Sequence, residues 1–273
     1  MRASRRAGLV IASAFFLVGL WPGALLAQGT TPDRSILFYQ GMLQRNPRDA
    51  RTYYRLGDAY IQKARESGDV TYFDLAEQAL RRALEIRPQY SDALRHLAFA
   101  LYSRHDFAGA ANEAGKAIAL NPADSHAYGI LGDAYLETGQ YGLTAETYEK
   151  MLHHRADLYS LSRRAGLRAL RGDAEGAIAD MKQAIEVGRA SGQPRESVAW
   201  AQWQFGSDYF ALGNLPGAEA QFLEALKTYP NYYRALAGLA QVQAAQGKYP
   251  EAIELYQKAI AIIPLPDYAS ALG

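Results

Sequence analysis

Pro88 and Pro122 stand 34 residues apart, and Pro230 and Pro264 stand 34 apart again. Each closes a stretch in which small residues recur at fixed offsets. Before Pro88 the markers are Leu56-Gly57, Tyr60, Ala76, Leu80 and Ala83; before Pro230 they are Phe205-Gly206, Tyr209, Ala218, Phe222 and Ala225. A period this short cannot bury its own apolar face, so successive units must stack on one another to form a core.

The same grammar recurs in Leu97-Ala98, Leu101, Ala110, Ala114, Ala117 and Pro122, in Leu131-Gly132, Tyr135, Gly139, Thr144, Tyr148 and Met151, and in Leu239-Ala240, Gly247, Tyr249, Ala252, Tyr256, Ala259 and Pro264. Arg164-Ala165 and Arg168 depart from it, with Gly172, Ala177, Met181 and Ala184 still in place. The pattern resembles the tetratricopeptide repeat, a 34-residue helix-turn-helix. The resemblance implies an all-α fold: a right-handed α-solenoid of about six repeats, at about 49–88, 91–122, 125–156, 158–190, 197–230 and 233–264. A lone lead-in helix precedes them within 28–48, around Ser35 to Arg45, and a stub follows at 265–273.

Helix packing explains the grammar. Two helices approach closely only where one offers a small residue to a large one, so Gly57, Gly132 and Gly206 are expected on first helices and Ala83, Ala117 and Ala225 on second helices. Gly139, Gly172, Gly213 and Gly247 fall where a first helix must stop. Proline ends the second helices, and Asp49, Ser91, Asp124 and Ser197 are placed to cap the next ones. Two intervals exceed the period by seven: Met42 to Ala83 and Ala184 to Ala225 are each 41 residues. Seven residues are about two helical turns, so the surplus around Ala64 to Phe73 predicts roughly one extra turn on each helix. The second surplus contains Gly188, Gly192, Gln193 and Pro194 and predicts an extended second helix followed by a real loop, the expected hinge.

The N-terminus has another character. Arg2, Arg5 and Arg6 precede an apolar run from Leu9 to Leu20, and Ala24-Leu25-Leu26-Ala27 ends in a small residue, so 1–27 reads as a cleaved signal peptide. Residues 8–27 are also about long enough for an inner-membrane anchor, the alternative; Pro22 and Gly23 favour cleavage, which would leave no stable membrane insertion. The expected location is periplasmic or secreted, in a bacterium. The chain has no cysteine, which excludes a disulfide framework, a thiol nucleophile and a lipid-anchored cysteine. Of 29 basic and 28 acidic residues, three arginines and no acid lie in the leader, leaving a mature net charge of −2. That balance gives no nucleic-acid signature.

The resemblance places the ligand groove along the first helices. First-helix residues outside the packing grammar are Tyr54, Asp58, Ile61, Arg95, Phe99, Tyr102, His126, Asp133 and Leu136, joined by Trp200, Trp203 and Phe210. Aromatic and arginine side chains are frequent binding hot spots, though Tyr54, Phe99 and Tyr102 could equally pack between repeats. Gln202 occupies the place of a core tryptophan, which turns at least one of Trp200 and Trp203 toward the groove. One subclass of these repeats grips a terminal carboxylate with cations and amides; Tyr54 and Asp58 stand where it needs them, so this chain departs from it. The expected partner is a peptide or protein face, with no cofactor and no metal. His153 and His154 are neighbours, and adjacent helical side chains diverge by about 100°, so they do not form a metal-binding pair. No His-Glu-x-x-His, Gly-x-Ser-x-Gly, phosphate loop or dinucleotide turn is present in the sequence. The function expected is that of a non-enzymatic scaffold. A structural subunit of an envelope assembly or export complex, binding through edges, is the alternative, and an enzyme or sugar-binding protein is a more distant one. After Pro264 the chain imitates another first helix, so the apolar edge near Leu255, Ile262 and Ile263 is expected to be covered by the stub or by a partner, including a second copy of the chain.

Overall fold

A computed structural model describes residues 32–271; the leader at 1–27 lies outside the described residues. Helix α1 (Pro32–Arg45) leads into six hairpins: α2 (Ala50–Ser67) with α3 (Thr71–Ile86), α4 (Ser91–Ser103) with α5 (Phe107–Leu120), α6 (Ser125–Glu137) with α7 (Tyr141–His154), α8 (Leu158–Leu170) with α9 (Ala174–Ala190), α10 (Arg195–Ala211) with α11 (Leu215–Thr228), and α12 (Tyr233–Ala245) with α13 (Tyr249–Ile262). A short α14 (Pro266–Ser270) ends the array. The described residues contain no strand. Each hairpin packs on the next, and successive first helices also touch one another, which makes them the inner layer of the solenoid.

The hairpin turns are built alike. The amide of Asp173 reaches back to the Arg168 carbonyl, and that of Asn214 to Tyr209, across a glycine of positive φ at Gly172 or Gly213, so the last carbonyls of the first helix are satisfied. The same Asp173 and Asn214 then cap the second helix by accepting from the amides of Gly176 and Gly217 at 2.9 and 3.0 Å. In the second repeat His105, at φ 62°, takes the glycine's place.

Close approach follows the small-to-large rule. A Cβ on Gly57 would lie 2.6 Å from Leu80, one on Gly132 2.4 Å from Tyr148, and one on Gly206 2.6 Å from Phe222. Phe222, wholly buried, is gripped twice, since a Cβ on Gly238 of α12 would also lie 2.6 Å away.

Of the expected caps, Asp49 and Asp124 receive helix amides. Ser91 and Ser197 do not act as caps. Ser91 is already the first residue of α4 and its hydroxyl donates to the Ala117 carbonyl, while Ser197 lies inside α10, fully buried.

Both seven-residue surpluses become helix. In the first, α2 has 18 residues against 13 in α4, and α3 has 16 against 14 in α5, so most of the increment lengthens α2. In the second, α9 is extended and a loop follows it, as expected, but part of the increment also lengthens α10. Helix α9 runs to 17 residues, α10 begins early and also has 17, and the connector Ser191–Pro194 is no longer than Arg87–Tyr90. Gly192 supplies the positive φ that closes α9, and the Gln193 amide returns to the Gly188 carbonyl.

The two lengthened helices meet. Arg65, on the extra turn of α2, places its guanidinium 2.7 Å from the carboxylate of Glu196 and 3.2 Å from the Ser197 hydroxyl, both on the extra turn of α10. Just beyond, Gly68 abuts Ile263 and the Tyr233 ring so closely that a Cβ there would sit 2.7 Å from Ile263. The first repeat thus touches the fifth and sixth. At the C-terminal edge Tyr268 of α14 lies 6.3 Å from both Tyr233 and Tyr256, and Ile263 is buried, leaving Ile262 exposed. The stub therefore covers the Tyr233 and Tyr256 side of the edge, and the first repeat covers Ile263 at Gly68.

Candidate functional site

A line of polar contacts runs from one first helix to the next along the inner layer. His96 of α4 meets Asp58 of α2 at 3.2 Å. Arg95 reaches Asp124, the cap of α6, at 3.1 Å, and the Tyr102 hydroxyl donates to Glu137 at 3.1 Å. From α6, Asp133 takes Arg163 of α8 through both carboxylate oxygens at 2.7–2.9 Å and also accepts the Tyr148 hydroxyl at 2.6 Å. His126 faces Asp157, the cap of α8, at 3.5 Å. Tyr159 of α8 donates to Ser197 of α10 at 3.1 Å. Arg65 binds that same Ser197, so the line returns to its starting helix.

The electrostatics fit fixed contacts more than titrating chemistry. Burial, reinforced by the Asp133 carboxylate, raises the Tyr148 hydroxyl far above the ordinary tyrosine range. Burial alone would weaken the positive charge of Arg163, but Asp133 overrides it and holds the guanidinium protonated. Burial lowers the His126 imidazole, with Asp157 opposing. Burial raises the Glu196 carboxyl against the pull of Arg65.

The twelve residues singled out from the sequence do not form one open surface. Tyr54 and Ile61 are buried, at 8% and 6% exposure, and act mainly in packing; Tyr54 sits against Tyr90 and His96, with ring centroids 5.2 and 5.0 Å away. Asp58, Arg95, His126 and Asp133 are held in the line of ion pairs. Phe99 lies edge-on to Phe73, and Tyr102 packs on Phe107. Phe99, Tyr102, Leu136, Trp200, Trp203 and Phe210 stay half-buried and offer part of their surface. Trp203 carries the Arg234 guanidinium 5.1 Å from its ring centroid. Gln202 is buried with its Oε1 unpaired, so the tryptophan pair flanks a core glutamine. His154 stacks on Tyr128 at 5.4 Å.

Sequence reasoning missed a second feature, at the other end of α2. Arg51 and Arg55 of α2 and Arg87, just before Pro88, line a cavity of about 580 Å³ together with Tyr54, Tyr90 and Asp92. Arginine at these positions carries no period, so only the fold assembles them.

Tetratricopeptide repeat models match residues 50–90, 97–160 and 204–265. The chain belongs to the tetratricopeptide repeat family. A tetratricopeptide repeat-containing protein of Methanocaldococcus jannaschii is 28% identical over 72% of this chain, which spans 37% of the length of that relative. Among solved structures, the Cut9–Hcn1 hetero-tetramer of APC/C superposes with a TM-score of 0.70 at 18% identity, covering 88% of this chain and 45% of the other. Human IFIT1, solved as a dimer with m7Gppp-AAAA, gives 0.71 at 16% identity, covering 92% and 59%. At these identities the likeness is one of fold alone. The unmatched stretch between 160 and 204 holds Arg164, Arg168 and the second surplus, and it still folds as a tetratricopeptide hairpin.

Proposed function

We propose that the protein is a non-catalytic interaction scaffold, exported to the periplasm or the exterior, whose inner wall holds a peptide or a face of another protein. Tetratricopeptide repeats are typically interaction modules, and the family models that match the chain are of that kind. The observation that carries the reading is the set of half-buried Phe99, Tyr102, Leu136, Trp200, Trp203 and Phe210 on the inner helices α4, α6 and α10. These lie beside ion pairs already fixed within the protein, so a partner meets an ordered wall and little side-chain freedom is lost on binding. Among the described residues no helix is long and apolar enough to cross a membrane.

The test is crosslinking in the native cell envelope with the full chain and with a Leu136→Arg/Phe210→Arg variant, read by mass spectrometry alongside thermal melting. The scaffold reading expects a specific partner lost in the variant while the melting temperature holds. Partners that persist would move the contact to the edges of the array.

A further inference from the structure

The cavity at the start of α2 is a local concentration of positive charge in a chain of formal net charge +1. Its three arginines are exposed, and among the described residues none stands within ion-pair distance of a carboxylate. One acid, Asp92, lines the cavity itself and is paired with a fourth arginine, Arg95, at 3.1 Å. Asp49 is occupied in capping α2, accepting the Arg51 amide at 3.0 Å and the Thr52 hydroxyl at 2.6 Å. Two of the cations are held by rings: Arg87 lies 4.7 Å from the Tyr90 centroid and Arg55 5.5 Å from that of Tyr54. A guanidinium resting on a ring keeps its in-plane N–H groups free for a planar acceptor, and a carboxylate matches that fork.

We propose that this pocket grips an acidic segment of the partner, a stretch whose Asp or Glu carboxylates pair with Arg51, Arg55 and Arg87 while adjoining apolar atoms rest on Tyr54 and Tyr90. The inference rests on the scaffold reading and gives the partner a chemistry. A peptide fits better than a nucleic acid because the cavity has room for only a few side chains and the mature chain is net negative, so no extended basic track continues from it.

The experiment is a random-peptide display selection on the full protein, in parallel with Arg51→Gln/Arg55→Gln/Arg87→Gln. The three side chains are exposed, and matched melting curves establish that the variant is folded. The expected result is enrichment of Asp- or Glu-containing peptides whose affinity falls at least tenfold in the triple variant, falls with added salt, and is lost when Gln and Asn replace the acids. Equal binding to both proteins overturns the pocket, as does tighter binding of a single-stranded oligonucleotide. Enriched peptides without acids, sensitive to Leu136→Arg/Phe210→Arg and not to the arginine changes, overturn the pocket and leave the scaffold standing. Failure to enrich any peptide counts against both.

Discussion

The fourth and fifth repeats lie side by side and hold their helices together differently. In the fifth, Phe222 is clamped between the bare backbones at Gly206 and Gly238. In the fourth, Arg168 stands where Tyr60, Tyr135 and Tyr209 stand in other repeats, and it joins Arg164 on Asp180. Arg164 binds that carboxylate through two bonds of 2.7 Å, and Arg168 lies 3.2 Å from it. Asp180 is only 3% exposed, whereas the arginine side chains keep about a third of their surface in water. The hairpin geometry survives because the small residue at the closest approach, Ala165, is retained and buried. The repeat therefore demands the small residue absolutely and lets its neighbours choose between an apolar contact and an ion pair.

Substitutions can break that comparison, beginning with the fifth repeat. Gly206→Val drives a branched side chain into Phe222, which cannot retreat because Gly238 holds its other side. Denaturant unfolding should show a loss of about 3 kcal/mol or more; a loss below about 1 kcal/mol would mean the ring is not clamped. Asp180→Ala strips the carboxylate from two arginines that are partly solvated, so the expected loss is smaller, about 1–3 kcal/mol. Gly166, also in the fourth repeat, faces open space within a helix, so Gly166→Ala should raise stability by about 0.5–1 kcal/mol. The contrast between Gly166 and Gly206 separates a glycine required by packing from one that is not.

The last test concerns Glu196 on the extra turn of the fifth repeat. Burial raises its carboxyl above the ordinary glutamate range, so the folded protein binds this proton more tightly than the unfolded chain does. Stability contributed at this site is therefore greatest at low pH and declines as pH rises through that range and above it. Subtracting the pH profile of Glu196→Gln from that of the wild type should expose this decline, and a difference that is flat with pH would refute it.

Much of the fold could be read from the residues because the repeat states its own packing: Gly57 with Leu80, Gly132 with Tyr148 and Gly206 with Phe222 are local pairs at fixed spacing. Even the first surplus was legible, since two turns inserted into a hairpin keep its buried face aligned. The second was legible in its extended α9 and the loop at Gly192, but the early start of α10 carried no local signal; Gly188 lies on α9, where a Cβ would meet Leu158 at 2.3 Å. Ser91 and Ser197 failed as caps for a related reason, as each helix starts earlier than its serine implies. The inner wall was legible only in outline. Position along a first helix singled out Asp58, Arg95, His126 and Asp133, but whether they are free or paired depends on the neighbouring repeat. The arginine pocket and the Arg65–Glu196 contact depend on the path of the whole array, which no single repeat encodes.

A linear stack of repeats frays from its ends, because a terminal unit has one neighbour where an inner unit has two. Here the first hairpin is also anchored 132 residues away through Arg65 and Ser197, and Gly68 leans on the sixth hairpin through Tyr233 and Ile263. A few side chains thus tie the first hairpin to the fifth and sixth across the array. Its outer units should therefore open together, in one cooperative step with the middle, and slow hydrogen exchange should extend into α2 and α12 instead of fading toward the ends.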